Sequence, residues 1–413
     1  MTSIFERIQS EIELSAKRIG ISEDIQQQMV TPQQVIENTI DVPQVGDVDI
    51  YRVQFNNARG PYKGGIRFHH ESNLQEVKAL AITMMLKTSL VGIPMGGAKG
   101  GAKVNTKELS PEQTQQVARA WVRAMVDHIG VDKDIPAPDV NTNAQVMAWM
   151  LDEYESIKGH SEPGVFTGKP LVLGGSEGRE QATSQGGVYA LQEVLAHQKK
   201  DSKGLRVIVQ GFGNVGSHAA YILHDLGYTI VGLSDSSGAV YSSQGIDPYE
   251  VQKHKEKGGS IHDIDLDNGE HISNEALLEQ ACDILIPAAL ASVITTSNCD
   301  AIQASYVLEL ANHPTDADAY DLLIKRGVTV IPDFLANAGG VTVSYLEWVQ
   351  NRQQRYWNTQ EVDSELKRYM QTATQAVLNY ADTHTLSLKE AAMDVAVKRI
   401  AEAVSLRGGV IGK

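Results

Sequence analysis

The sequence predicts an α/β protein of two domains, the second built around a parallel sheet. Three observations lead there. A chain of 413 residues has room for two ordinary cores. From about Lys169 onward, short apolar strands alternate with helical patterns, which makes a parallel sheet covered on both faces. One of those strands runs into Gly211-Phe-Gly-Asn-Val-Gly216 and then a helix. The expected boundaries are 1–170, 171–350 and a C-terminal helical stretch, 351–413, that packs back on the first domain.

Met1 to Gly20 carries Ile4, Phe5, Ile8, Ile12 and Ile19 at helical spacing among acidic residues. That is an amphipathic helix, not a signal peptide. Residues 49–58 read as a strand entering a turn, and 74–90 as a helix with Val77, Leu80, Ala81, Met84 and Met85 on one face. A second helix, Pro111 to His128, has Ser110 as cap and proline in its first turn. Asp134-Ile-Pro-Ala-Pro-Asp-Val-Asn-Thr142 breaks regular structure, and its prolines fix an extended path that places Asp139 rigidly. Strands are then expected at Leu171–Leu173, Leu205–Gln210, Tyr228–Ser234, Cys282–Ile286, Tyr306–Leu310 and Val328–Ile331, with helices at 184–197 and from 216 to about Leu226. The last sixty residues are helical by pattern, and Trp348 and Trp357 look like packing anchors.

A formal net charge of −15 argues against nucleic acid as a partner. No apolar run is long enough to span a membrane. The two cysteines, Cys282 and Cys299, form no Cys-x-x-Cys pair and read as reduced thiols of a cytoplasmic protein.

Against this acidic background three lysines stand out. Lys99 lies in Gly96-Gly-Ala-Lys-Gly-Gly101, Lys63 in Pro61-Tyr-Lys-Gly-Gly65, and Lys87 in an apolar helix between them. A lysine among residues without bulk can be confined and desolvated, which lowers its pKa and suits it to acid–base or electrophilic work. Together they suggest a pocket for a small polyanion; the plainer reading is two glycine turns with solvated lysines. Asp139 could pair with Lys99 in proton transfer, or cap the segment that follows. The glycines of 211–216, between strand and helix, fit a dinucleotide pyrophosphate at a helix N-terminus. Asp235 lies where an acid can bind a ribose 2′-hydroxyl, but Ser234, Ser236 and Ser237 around it could hold a 2′-phosphate, so NAD and NADP both remain open. Lys99 lacks the flanking residues of a Walker A loop. The consecutive His69, His70 and Glu71 are expected to point apart, so no metal site is expected, and there is no Gly-x-Ser-x-Gly elbow.

These motifs resemble the glutamate dehydrogenases, within the wider group of amino acid dehydrogenases. The resemblance runs from about Pro32 to Gly409. It rests on Asn57–Arg67, Pro94–Gly101, Asp134–Thr142, Thr167–Pro170, Gly174–Arg179, Gln210–Gly216 and Pro332–Asn351. It implies an N-terminal substrate and assembly domain, a Rossmann-type dinucleotide domain, a cleft between them and a homohexamer. It also implies Lys99 as catalytic lysine, Asp139 as proton relay, Lys87 on the α-carboxylate, and Lys63 with Ser344 on the side-chain carboxylate. Thr183 and Asn214 match cofactor contacts, joining Gly211, Gly213, Val215, Gly216 and Asp235. The implied substrates are L-glutamate, 2-oxoglutarate and ammonium.

Relatives acting on leucine, valine or phenylalanine carry an apolar residue in place of Lys63, because a buried lysine facing hydrocarbon is costly. A dehydrogenase for an apolar amino acid, or a silent nucleotide-sensing subunit, are the alternatives. Three positions depart from the pattern. Phe55 stands where histidine is common, and Leu310 and His313 stand where glycines are usual.

Overall fold

In the computed structural model, which describes residues 3–266 and 268–408, the chain folds as two units. The first comprises Met1–Arg179, Val341–Glu365 and Met393–Lys413; the second, Glu180–Gly340 and Leu366–Ala392. The C-terminal stretch expected to return whole to the first domain is thus divided between the two. Met1, Thr2 and residues 409–413, part of the expected terminal segments, lie outside the described residues.

The first unit runs α1 (Ile4–Arg18), α2 (Glu23–Val30), β1 (Gln34–Val42), β2 (Gly46–Phe55), β3 (Tyr62–Phe68), α3 (Leu74–Leu90), β4 (Gly97–Ala102), α4 (Pro111–Met125), β5 (Asp134–Pro138) and α5 (Ala144–Lys158). Its sheet has the order β1-β2-β4-β3-β5. β2 runs antiparallel to β1 and β4, and β3 parallel to β4 and β5. Local chemistry sets the helix starts. Ser3 with Glu6, and Ser110 with Gln113, form reciprocal capping boxes on α1 and α4. α3 has the limits that its apolar pattern predicts.

Two expectations need correction here. Asp134–Pro138 is a strand, not a break: among the described residues β3 is the one strand of the sheet that β5 pairs with, and at such an edge a missing proline N–H is tolerated. The cap of α5 is Asn143, whose side chain accepts from the Val146 N–H, not Asp139. A third correction concerns Leu171–Leu173, which is a single 3₁₀ turn with Leu171 and Val172 exposed. Three apolar residues in a row carry no period, and among the described residues no strand lies alongside to bury them.

The second unit runs α6 (Ala182–His197), β6 (Arg206–Gln210), α7 (Asn214–Asp225), β7 (Thr229–Asp235), β8 (Gly238–Tyr241), α8 (Pro248–Glu256), β9 (Glu270–Ile272), α9 (Asn274–Leu278), β10 (Ile284–Pro287), β11 (Tyr306–Leu308), α10 (Ala317–Lys325), β12 (Thr329–Ile331) and α11 (Asp333–Ala336). The sheet order is β12-β11-β10-β6-β7-β8-β9. The first five of these strands are parallel, and β8 and β9 add an antiparallel edge. Ile208, Val231, Leu285, Val307 and Val330 form the core beneath the parallel part.

Three helices close the chain: α12 (Gly339–Gln353), α13 (Thr359–His384) and α14 (Leu388–Leu406). α14 is tied to α1 by buried Asp394, which accepts from Ser15 at 2.7 Å and Arg18 at 2.8 Å. Trp348 anchors α12, donating from its indole N–H to the Val131 carbonyl at 2.9 Å. Both cysteines are free and buried, and burial pushes the Cys282 thiol up to about 12. No helix among the described residues is long and apolar enough to cross a membrane.

Candidate active site

Sheet register puts the lysines on one surface. Val53 pairs with Lys99, Ile66 with Gly100, and Lys63 with Ile135. In-register neighbours share a face, so Lys63, Gly65 and Arg67 of β3 point the same way as Lys99 of β4. Ile50, Ile66 and Phe68 point the other way, into the core under α4 and α5. α3 lies on the lysine face, where a Cβ on Gly97 would fall 2.2 Å from the Met85 nitrogen. Lys87 sits in the last turn of α3 and is buried. The glycine pairs therefore do not make turns. They let backbones meet inside a sheet: a Cβ on Gly64 would lie 1.5 Å from the Ala98 oxygen, and one on Gly65 2.8 Å from the Asp139 Cβ.

Lys99 and Asp139 come together as the sequence suggested, with Lys99 Nζ 2.9 Å from Asp139 Oδ2. Burial pushes the Lys99 ammonium down, and the carboxylate opposes that. Burial alone would raise Asp139, but Lys99 and Arg67 overcome it and hold the carboxyl down at about 2. Lys63 is nearly sealed from solvent, and among the described residues no carboxylate lies within ion-pairing distance of it. Burial drives its ammonium well below the ordinary lysine value, the Arg179 and Arg52 charges add to this, and Glu347 and Asp134 oppose it. A cation so placed gains strongly from an incoming carboxylate. Ser344, also buried, precedes Glu347 by one turn on α12.

Several charged residues here drew no attention in the sequence. Arg52 and Asp134 form a fully buried pair on the core side, with Arg52 Nε 2.8 Å from Asp134 Oδ2 and Gln54 donating to the same oxygen at 2.6 Å. Glu347 accepts from Lys169 Nζ at 2.6 Å and from the Gly168 N–H at 2.7 Å, which gives the Thr167–Pro170 motif its anchor. Arg67 bonds both Asp139 and Glu76. Arg67 and Arg179 stood inside quoted motifs, but nothing local marks an arginine as buried. The Arg52–Asp134 pair spans 82 positions, so only register brings it together.

The 211–216 segment lies at the carboxyl end of β6. Gly211 has φ +100°, where a side chain is strained. A Cβ on Gly216 would meet the Gly211 oxygen at 1.8 Å, whereas one on Gly213 meets nothing within 4 Å. Gly211 and Gly216 make the turn, and Gly213 between them leaves the mouth of α7 open. No side chain caps α7, so its first N–H groups face that opening. These residues fit a dinucleotide pyrophosphate. Ser184, next to Thr183 in the first turn of α6, donates to the Val215 carbonyl at 2.6 Å. Asn214 donates to the Glu180 carbonyl at 3.2 Å. Asp235, at the end of β7, accepts from the Ser237 N–H at 2.8 Å and pairs with Lys255 of α8, a partner the sequence did not suggest. Ser234 is buried and accepts from the Gly211 N–H, so it is not available to a phosphate.

The departures have packing reasons. Phe55 is fully buried against Phe5, ring centroids 6.1 Å apart. Leu310 fills space beside Gly187, where a Cβ would lie 2.4 Å from a Leu310 methyl. His313 has φ +50°, and its N–H donates to Asp333 at 2.9 Å. The donor atoms of His69, His70 and Glu71, expected to point apart, lie within 4.8 Å of one another, because the chain turns after β3 and the two imidazoles stack.

Two family models match. Residues 32–156 match the Glu/Leu/Phe/Val dehydrogenase dimerisation domain, and 174–408 match the glutamate/leucine/phenylalanine/valine dehydrogenase domain. The chain belongs to this family. It is 43% identical to the catabolic NAD-specific glutamate dehydrogenase RocG of Bacillus subtilis, over 99% of this chain and 96% of that one. Among solved structures, the hetero-hexameric glutamate dehydrogenase of Thermus thermophilus, in its leucine-bound form, superposes with a TM-score of 0.93 at 33% identity, covering 99% and 98% of the two chains. That of Peptoniphilus asaccharolyticus gives 0.88 at 36%, covering 99% and 100%. The chain is thus an NAD(P)-dependent amino acid dehydrogenase.

Proposed function

We propose that this dehydrogenase interconverts L-glutamate with 2-oxoglutarate and ammonium, and that Lys63 sets the choice of amino acid. The observation carrying this is the buried Lys63 ammonium, without a carboxylate at ion-pairing distance among the described residues. Both substrates carry two carboxylates. Lys63, with Ser344, takes the distal one and Lys87 the one on the α-carbon, which orients that carbon for reaction. Lys99 polarises the carbonyl or imine and activates water, and Asp139 relays protons to and from nitrogen. The dinucleotide, held by Thr183, Gly211, Gly213, Asn214, Val215, Gly216 and Asp235, supplies hydride acceptor and donor chemistry.

Asp235 and the NAD-specific relative favour NAD, with Asp235 on the ribose hydroxyls. One structural relative is named as a hetero-hexamer, and a homohexamer in the cytoplasm is the reading we carry for this chain. The test is oxidation of NADH and of NADPH with 2-oxoglutarate and ammonium. Activity with at least one cofactor is expected, and none with either overturns the reading. Faster turnover of leucine or valine than of glutamate would favour the apolar alternative.

A further inference from the structure

We propose that Arg67 is a positioning residue for Asp139: its guanidinium, forked between Asp139 and Glu76, confines the bonds from Lys99 and Arg67 to Oδ2 and reserves Oδ1 for the reacting nitrogen. The inference rests on the glutamate dehydrogenase reading above.

The geometry is specific. Lys99 Nζ and Arg67 Nε both reach Oδ2, each at 2.9 Å, and Oδ1 receives no hydrogen bond from the described residues. The Arg67 side chain is only 13% exposed and that of Asp139 21%. Nη1 of the same guanidinium pairs with Glu76, in the first turn of α3, whose backbone N–H is held by Asn73. Arg67 is thus fixed at both ends, by a strand and a helix start. A planar fork holds two carboxylates in fixed directions from separate nitrogens, whereas an ammonium offers its donors from one freely rotating point charge. Gly101 opposes Arg67 in β4, and a Cβ there would lie 3.5 Å from the Arg67 Cγ and 3.3 Å from its carbonyl oxygen.

The charged groups facing this corner are Lys99 of β4, Arg67 of β3 and Glu76 of α3, while Arg52 of β2 acts on Lys99 from the opposite face of the sheet. In deamination an N–H bond of the substrate ammonium breaks and the proton moves to Oδ1. An Asp139 pinned by two cations presents that oxygen in one direction but binds the proton weakly. Glu76 draws part of the Arg67 charge away and so moderates the effect.

The test compares Arg67→Gln, Arg67→Lys and Glu76→Gln with the parent by kcat, KM and the pH profile of kcat/KM for glutamate. Arg67→Gln is expected to lower kcat roughly ten- to a hundredfold, with the glutamate KM within about threefold. It should also raise the acidic limb by about one pH unit or more, since a neighbouring arginine depresses an aspartate by about one to three. Arg67→Lys should fall between it and the parent. Glu76→Gln, at a half-exposed position, should move the limb down or leave it in place. An acidic limb unmoved in both Arg67 variants, or moved up equally by Glu76→Gln, overturns the proposal. If Arg67→Gln does not fold, the other two variants decide by the same criteria. A parent enzyme without glutamate turnover fails the functional reading instead, so the two failures are distinct.

Discussion

The two glycine-rich regions use the same residue for opposite ends. In β3 and β4, Gly64, Gly65 and Gly97 sit where any Cβ would collide with backbone or with Asp139. They bring strand, helix and carboxylate together around the lysines. In the 211–216 segment Gly213 faces open space and leaves a helix mouth bare. The first region is closed by protein against protein; the second is left open for a ligand. A glycine motif therefore does not say by itself whether it builds a wall or a doorway.

The sharpest way to probe the closed region is its chemistry. Lys99→Ala should cut turnover by about two to four orders of magnitude while dinucleotide binding, followed by NADH fluorescence, stays within about twofold. Near-normal turnover would remove Lys99 from the reaction. Lys63→Leu should lower kcat/KM for glutamate on the order of a hundredfold, as expected when one partner of a buried charge pair is lost. Methionine or norleucine should gain as substrates, and an unchanged glutamate KM would show that Lys63 does not hold the distal carboxylate.

The glycines themselves can be contrasted directly. Gly64→Ala should cost at least about 1–3 kcal/mol in urea unfolding, because neither backbone can yield. Gly213→Ala should unfold like the parent yet bind NAD(H) roughly tenfold more weakly. Equal losses of stability in the two variants would erase the distinction.

A smaller effect tests how each unit handles buried charge. In the first unit the buried carboxylates Asp134 and Glu347 meet cations. In the second, Glu309 faces Asp333, and burial together with that charge pushes its carboxyl up to about 8. The unfolded group ionises near 4.5. Between these values the folded protein keeps a proton that the unfolded chain has lost, so stability falls as pH rises through the window, by at most about 1.4 kcal/mol per unit. Glu309→Gln should flatten this slope between pH 5 and 8 in thermal unfolding (about the span set by those two values). An unchanged slope would assign it elsewhere.

Much was legible before any coordinates. The 3.6-residue period of 74–90, the Ser110 cap, and the run of β6, Gly211–Gly216, α7 and β7 depend on neighbours a few positions apart. Lys99 and Asp139 stood out through their glycine and proline surroundings. The edge strand β5 was hidden because prolines argue against strands, and β8 and β9 because they are only 4 and 3 residues long. Nothing in their local sequence marked Arg67 and Arg179 as buried.

The sequence alone determined the α/β class, the helix starts, the glycine turn at the carboxyl end of β6 and the residue types able to handle two carboxylates. These follow from local sterics, capping and periodicity. Tertiary structure alone decided that Arg52 finds Asp134, that Lys63 is buried without an adjacent carboxylate among the described residues, and that Arg67 and Lys99 share one oxygen of Asp139. Those facts depend on which residues oppose one another across a sheet, and register is set by the packing of whole strands rather than by any short stretch of chain.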